Sequence, residues 1–185
     1  MPAYPRAELE EMVQRWLQAN RDAEAAGDWT PMADLYTDDA TYGWNFGPTT
    51  EFMAVGRDEI RDLALGQEMA GLDGWRYPYE EVLIDDAKGH VIGVWRQIAD
   101  ATRPDGTPYE VAGLGGSWFI YGGEGRWRWQ RDWFDLGNAT ALFVEMMGAG
   151  VLSDGMSSRM DRFASGPQPG FRPIGEAPVG LWERP

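Results

Sequence analysis

From Ala7 to Ala26 the apolar positions Leu9, Met12, Val13, Trp16 and Leu17 recur at helical spacing, and Glu8, Glu10, Glu11 and Arg15 supply the wet face. This predicts an amphipathic helix, stopped at Gly27. "DWTPMADLY" predicts a short second helix with Thr30 as N-cap and Pro31 at the first helical position. In "TDDATYGWNFGP", Ala40, Tyr42, Trp44 and Phe46 alternate with Thr41, Gly43 and Asn45, so a strand leads into a Gly-Pro turn. After a loop, "VGRDEIRDLALGQEMAGL" predicts a third helix with Ile60, Leu63, Ala64 and Met69 on one side.

The pattern then changes period. "WRYPYEEVLID", "HVIGVWRQIADAT" and "TPYEVAGLGGSWFIY" are β-rich runs separated by the turn signals "DAKG", "RPDG" and "GGEG". They predict an antiparallel meander of long strands, with Gly93, Gly113, Gly115 and Gly116 permitting the bulges that curvature requires. The last strand, in "GRWRWQRDWFDLGN", puts Trp127, Trp129, Arg131, Trp133 and Asp135 on one face. Arg126, Arg128, Gln130, Asp132 and Phe134 fall on the other. A short closing helix spans 138–148. Beyond it, "SDGMSS" and "SGPQPGFRPIGEAPVG" predict an irregular extension that wraps the fold or a partner.

Helices followed by a long curved antiparallel sheet make an α+β fold, a cone with a pocket between helices and sheet. The expected organisation is one domain over 1–149 and a Gly/Pro-rich extension over 150–185.

Composition narrows the chemistry. Thirty acidic against sixteen basic side chains give a net charge of -14, which argues against nucleic acid and membrane partners. There is no cysteine, which excludes disulfides, thiolate nucleophiles and cysteine-bound metals, and His90 is the single histidine. No metal and no cofactor are therefore expected. The N-terminal stretch lacks the apolar run of a signal peptide, so the expected location is cytoplasmic. Ten Trp, seven Tyr and seven Phe point to an aromatic-lined pocket, an interface, or both.

"GDWTPMADLYTDDATY", "VGRDEIRDL" and "WQRDWFDL" resemble the nuclear-transport-factor-2-like superfamily, in particular its SnoaL-like and limonene epoxide hydrolase-like branches. The last run resembles the one that closes the sheet in the epoxide hydrolases. The resemblance covers roughly residues 8–147. Isomerases, dehydratases, cyclases, hydrolases, lyases and non-catalytic binders share this fold. Carried over by position, the resemblance implies Asp132 in the pocket as acid or base and Arg96 of "VWRQIAD" opposite it. Tyr42 matches a tyrosine that helps position water in the hydrolases, and Asn45 lies near an asparagine that shares the task. The hydrolases carry an aspartate two residues after the arginine, where this chain has Ile98. Asp100 lies two further on, displaced by roughly 7 Å along the strand.

A carboxylate on an aromatic-lined inner face has a raised pKa by desolvation unless a cation pairs with it. Asp132 is thus either an acid/base group or half of an Arg96 ion pair tying two strands. Trp44 and Phe134, in phase with Tyr42 and Asp132, are substrate-binding candidates together with Asn45, Asp100 and Trp118. Trp95 is assigned to the outer face, and His90 follows a turn near solvent. If the Asp132 face lines the cone, Trp127, Trp129 and Trp133 form an outer apolar band, which predicts a sheet-to-sheet homodimer.

Within the resemblance, the favoured expectation is a cofactor-free lyase acting on a small hydrophobic hydroxylated aromatic compound. The diarylpropane lyases of lignin-dimer catabolism, which lose water and formaldehyde, belong to this superfamily. An epoxide hydrolase, a SnoaL-like isomerase or cyclase, and a hydrophobic-ligand binder are the alternatives.

Overall fold

The computed structural model describes residues 3–185. Helix α1 (Arg6–Ala26) buries the predicted stripe of Leu9, Met12, Val13 and Trp16, and ends where Gly27 turns left-handed at φ 66°. A 3-10 turn follows over Thr30–Leu35, with Trp29 rather than Thr30 at its N-cap. Asp28 just before it accepts from both the amide and the hydroxyl of Thr30. The third helix is a short α2 (Arg57–Glu59) that widens into a π-helical stretch over Ile60–Gln67. Its Glu68 amide donates to the Leu63 carbonyl five residues back. The wider turn buries Ile60, Ala64 and Leu65.

The main sheet has seven strands in the order β10-β2-β1-β9-β8-β5-β4. They are β1 (Tyr36–Phe46), β2 (Thr50–Val55), β4 (Tyr79–Asp85), β5 (His90–Trp95), β8 (Gly115–Gly123), β9 (Arg126–Trp133) and β10 (Phe171–Pro173). The predicted antiparallel meander is present as β4-β5-β8-β9, and β1 joins it parallel to β9. A small second sheet joins β3 (Trp75–Arg76), which precedes β4, to β6 (Ile98–Thr102) and β7 (Pro108–Glu110) of the β5–β8 connection. Gly93 of β5 and Gly115 and Gly116 of β8 keep regular register and make room for rings. A Cβ on Gly93 would stand 2.4 Å from the Tyr79 ring, and one on Gly115 2.1 Å from Trp95.

Strand β9 carries a bulge. Ile120 pairs with Trp129 but Tyr121 pairs with Trp127, so Arg128 is the extra residue. Trp127 and Trp129 consequently face opposite sides of the sheet. Trp127 turns inward, stacked on Phe119 at 4.7 Å and edge-on to Trp16. The expected outer band of three tryptophans is therefore broken.

The segment after β9 is more ordered than its composition suggests. Helix α3 (Leu136–Ala149) is capped by Asp135, which accepts from the Asn138 amide. Helix α4 (Asp154–Ala164) is capped by Ser153, which accepts from the Met156 amide. Gly71 and Gly155 let α4 dock closely, since a Cβ on Gly71 would lie 2.4 Å from the Gly155 carbonyl oxygen. The final residues cross the outer face of the sheet. There the Trp129 indole donates to the Glu183 carbonyl at 2.7 Å, and Arg131 Nε donates to the Leu181 carbonyl at 2.8 Å. Arg184 stacks over Trp118 at 4.4 Å. Trp129 is left 1% exposed, whereas Trp133 remains 39% exposed. No helix among the described residues is long and apolar enough to cross a membrane.

Candidate active site

Between the inner face of the sheet and α1, the π-helical stretch, α3 and α4 lies a cavity of about 420 Å³. Its walls are mainly apolar and aromatic, with Trp16, Trp44, Trp95, Phe134 and Phe163 among them.

Asp132 stands on the sheet wall. Register fixes it there, because β9 pairs Asp132 with Trp44 of β1 on one side and with Ser117 of β8 on the other. Both carboxylate oxygens have donors. Gln130 Nε2 donates to Oδ1 at 2.8 Å, and the Tyr42 hydroxyl donates to Oδ2 at 2.5 Å. The buried Tyr36 hydroxyl donates in turn to Gln130 Oε1 and so fixes which end of the amide faces Asp132. The Tyr42 ring stacks on Tyr36, with Trp44 edge-on to it at 5.3 Å.

Burial pushes the Asp132 carboxyl up to about 6, against the opposing pull of the bonds from Gln130, Tyr42 and Ser117 and the charge of Arg131. Burial, reinforced by the Asp132 charge, pushes the Tyr42 phenol well above its usual range. Near neutral pH the pair is therefore a carboxylate and a phenol, consistent with a short charge-assisted bond. A carboxyl that titrates near 6 can both take and return a proton under those conditions.

Of the residues singled out from sequence, the structure brings Asp132, Tyr42, Trp44 and Phe134 to the cavity. Trp44 also stacks on Phe52 at 4.0 Å. Arg96 is not opposite Asp132. It lies on the outer side, donating to both carboxylate oxygens of Glu110 and pairing with Glu80. The alternation in β5 runs the other way from the one expected: Val91, Gly93 and Trp95 face inward, and Trp95 donates to Ser117 Oγ at 3.0 Å. Asp100 is exposed and paired with Arg76 at 3.0 Å. Asn45 is exposed, opposite Glu51 of β2. Trp118 is on the outer face under Arg184, beside His90 at 5.6 Å. Burial, together with the charge of Arg184, lowers the His90 pKa, and His90 is outside the cavity.

The cavity also holds residues that were not singled out. Tyr79 accepts from the Trp16 indole at 2.9 Å, and Gln97 and Tyr77 line the wall beside it. Met156, Arg159, Met160 and Phe163 enter from α4, where their spacing of three, four and seven residues is the helical signal that would have revealed them. Arg159 faces Glu68, at the end of the π-helical stretch.

An N-terminal helix packed on a long, mostly antiparallel sheet is the cone fold of nuclear-transport-factor-2-like proteins. Solved structures agree with this fold. An NTF2-like protein from Anabaena variabilis is 17% identical and superposes with a TM-score of 0.53, covering 73% of this chain and 95% of its own. Bal32a, from a soil-derived mobile gene cassette, is 20% identical with a TM-score of 0.53, covering 74% and 96%. PrhC from Penicillium brasilianum is 13% identical with a TM-score of 0.56, covering 82% and 97%. The sequence model of the SnoaL-like domain matches residues 13–128, more than half of the chain, and the chain belongs to that family. The matched segment ends before Asp132 and before both C-terminal helices. No curated protein matches the chain.

Proposed function

We propose that the chain is a cofactor-free acid/base enzyme acting on a small hydrophobic hydroxylated aromatic molecule, with Asp132 as the proton-transfer group. The observation that carries this reading is a single carboxyl on the sheet wall of an aromatic cavity, oriented through both oxygens and titrating near 6. The chemistry that suits it is elimination from a diaryl-propane diol. The protonated Asp132 gives its proton to the benzylic hydroxyl, the C–O bond breaks and water leaves. The electron pair that completes the new C=C bond comes from the bond to the neighbouring hydroxymethyl carbon, which departs as formaldehyde. Its hydroxyl proton returns to Asp132. Water and formaldehyde are the only losses, so atoms and charge balance. Tyr42, kept as a phenol, orients the carboxyl.

The placement of Arg96 and Asp100 outside the cavity supports this over epoxide hydrolysis, which in the expected arrangement needs both beside Asp132. One observation favours a second reading. With a pKa of about 6, roughly nine-tenths of Asp132 is ionised at pH 7, which suits a base that begins by removing a proton from carbon, as in isomerisation or cyclisation.

The test is to incubate the protein with aryl-propane diols, hydrophobic epoxides and unsaturated ketones in deuterium oxide, and to follow products by mass spectrometry. Loss of water and formaldehyde, abolished by Asp132→Asn, supports elimination. Deuterium uptake without other change, abolished by the same variant, supports isomerisation. Conversion that survives Asp132→Asn, or tight binding with no conversion of any compound, contradicts the assignment.

A further inference from the structure

The cavity wall has a second carboxyl, that of Glu68, which the chemistry above does not use. Glu68 is 5% exposed, and its Oε1 meets no donor among the described residues. Its Oε2 lies 3.5 Å from Arg159 Nη2, and Arg159 Nη1 donates to the Glu68 main-chain carbonyl. Arg159 is held in turn against the ring of Phe163 at 4.8 Å, while Arg162 of the same helix donates to the carbonyls of Gln67 and Ala70. Two arginines of α4 thus tie down the carbonyl end of the π-helical stretch and leave one carboxylate oxygen unpaired in the cavity wall. The indole N–H of Trp29, another residue of the cavity wall, has no acceptor among the described residues. Leaving such groups unpaired in an apolar site is costly, and a ligand that pairs with them recovers that cost.

We propose that Glu68, held by Arg159, is a hydroxyl-binding subsite on the helical wall of the cavity. It accepts a hydrogen bond from a neutral phenol or alcohol at a position of the ligand other than the one that meets Asp132. The pairing with Arg159 selects for neutrality. An ammonium group would compete with a guanidinium already in place, and an anion would face the Glu68 carboxylate. Burial raises the Glu68 pKa and lowers that of Arg159, as befits a pair set in an apolar wall. This inference rests on the cavity being the ligand site of the proposed function, and it names a feature of the ligand: hydroxyls at two separate positions.

The test uses the full chain and three rigid diaryl probes: trans-stilbene, its 4-hydroxy derivative and its 4,4′-dihydroxy derivative. Binding is read by quenching of the cavity tryptophans. In the wild type the second hydroxyl tightens binding about tenfold or more, the range for a hydrogen bond to a charged acceptor. In Glu68→Met/Arg159→Met, which removes both charges and leaves neither alone, the second hydroxyl changes affinity less than about twofold, while any gain from the first persists. Should the double variant not fold, as judged by circular dichroism, Glu68→Gln serves, and the gain from the second hydroxyl falls several-fold. Stilbene that binds with no gain from the second hydroxyl in the wild type overturns the subsite alone. An undiminished gain in the folded variants does the same. Failure of all three probes to bind overturns the reading of the cavity as a ligand site, and the subsite with it.

Discussion

Asp132→Asn should stabilise the protein, and by an amount that grows with pH. An aspartate in the unfolded chain titrates near its ordinary value of 3.8, whereas Asp132 in the folded cavity titrates near 6. Below 3.8 both states carry the proton and the site costs nothing. Above 6 both states are ionised, and folding carries the full cost of burying the charge. That cost is about 3 kcal/mol at pH 7.5 and about 1 kcal/mol at pH 4.5. Asp132 is partly exposed, so solvent screens the charge and these are upper values. Asparagine removes the charge and keeps the shape, but turns one amide N–H toward a donor now satisfied by carboxylate oxygen. This offset does not vary with pH. The advantage of the variant over wild type should therefore rise by up to about 2 kcal/mol between pH 4.5 and 7.5. Urea unfolding of both proteins at the two pH values, followed by circular dichroism, measures it, and the other carboxylates cancel in the difference. A difference that is flat with pH, or that moves in favour of wild type as pH rises, would refute the reasoning.

Three further outcomes follow from the same geometry. Tyr42→Phe removes a donor that holds the Asp132 pKa down, so the alkaline limb of the pH–rate profile, on which elimination is lost as Asp132 ionises, should move above pH 6 and turnover at its plateau should fall by about 100-fold. Arg96→Ala should leave turnover unchanged and stability nearly so, because Arg96 pairs with Glu110 and Glu80 at the surface; a large loss of turnover would return it to the site. Deleting residues 180–185 strips the carbonyls that accept from Trp129 and Arg131, so urea unfolding should show a loss of about 2–4 kcal/mol, with a red shift of tryptophan emission. Burial now lowers the Arg131 pKa to about 10, and the deletion should let it rise.

What could be read ahead of the structure depended on whether one face of an element was marked. In α1, charged residues on the wet side fix the phase, and in β1 Thr41, Gly43 and Asn45, alternating with Tyr42, Trp44 and Phe46, do the same. Strand β5 gives no such mark, because Val91, Ile92, Val94 and Trp95 are apolar on both sides. The resemblance therefore placed Arg96 inward, although Gly93 lies under the Tyr79 ring and sets the opposite phase. In β8 the inner face carries Gly115, Ser117 and Phe119, so Trp118, a lining candidate by residue type alone, falls on the other face. The extra Arg128 in β9 reversed Trp127 while leaving Asp132 and Phe134 in the expected phase, since both follow the bulge. Helix α4 was hidden by Gly, Ser and Pro around it, although the Ser153 cap and the run Met156, Arg159, Met160, Phe163 are local signals for a helix. Strand β2, read as loop, is covered by β10 from more than a hundred residues later, a contact that local sequence cannot carry.

The account turns on the ionisation of one carboxyl in the cavity. The most direct measurement is the pH titration of the Asp132 side-chain carbon by 13C NMR, assigned by its loss in Asp132→Asn. A midpoint near 6, moving higher in Tyr42→Phe, is the predicted result. A midpoint at or below 3.8 would mean a carboxylate already stabilised by its neighbours, and would contradict its assignment as the proton-transfer group.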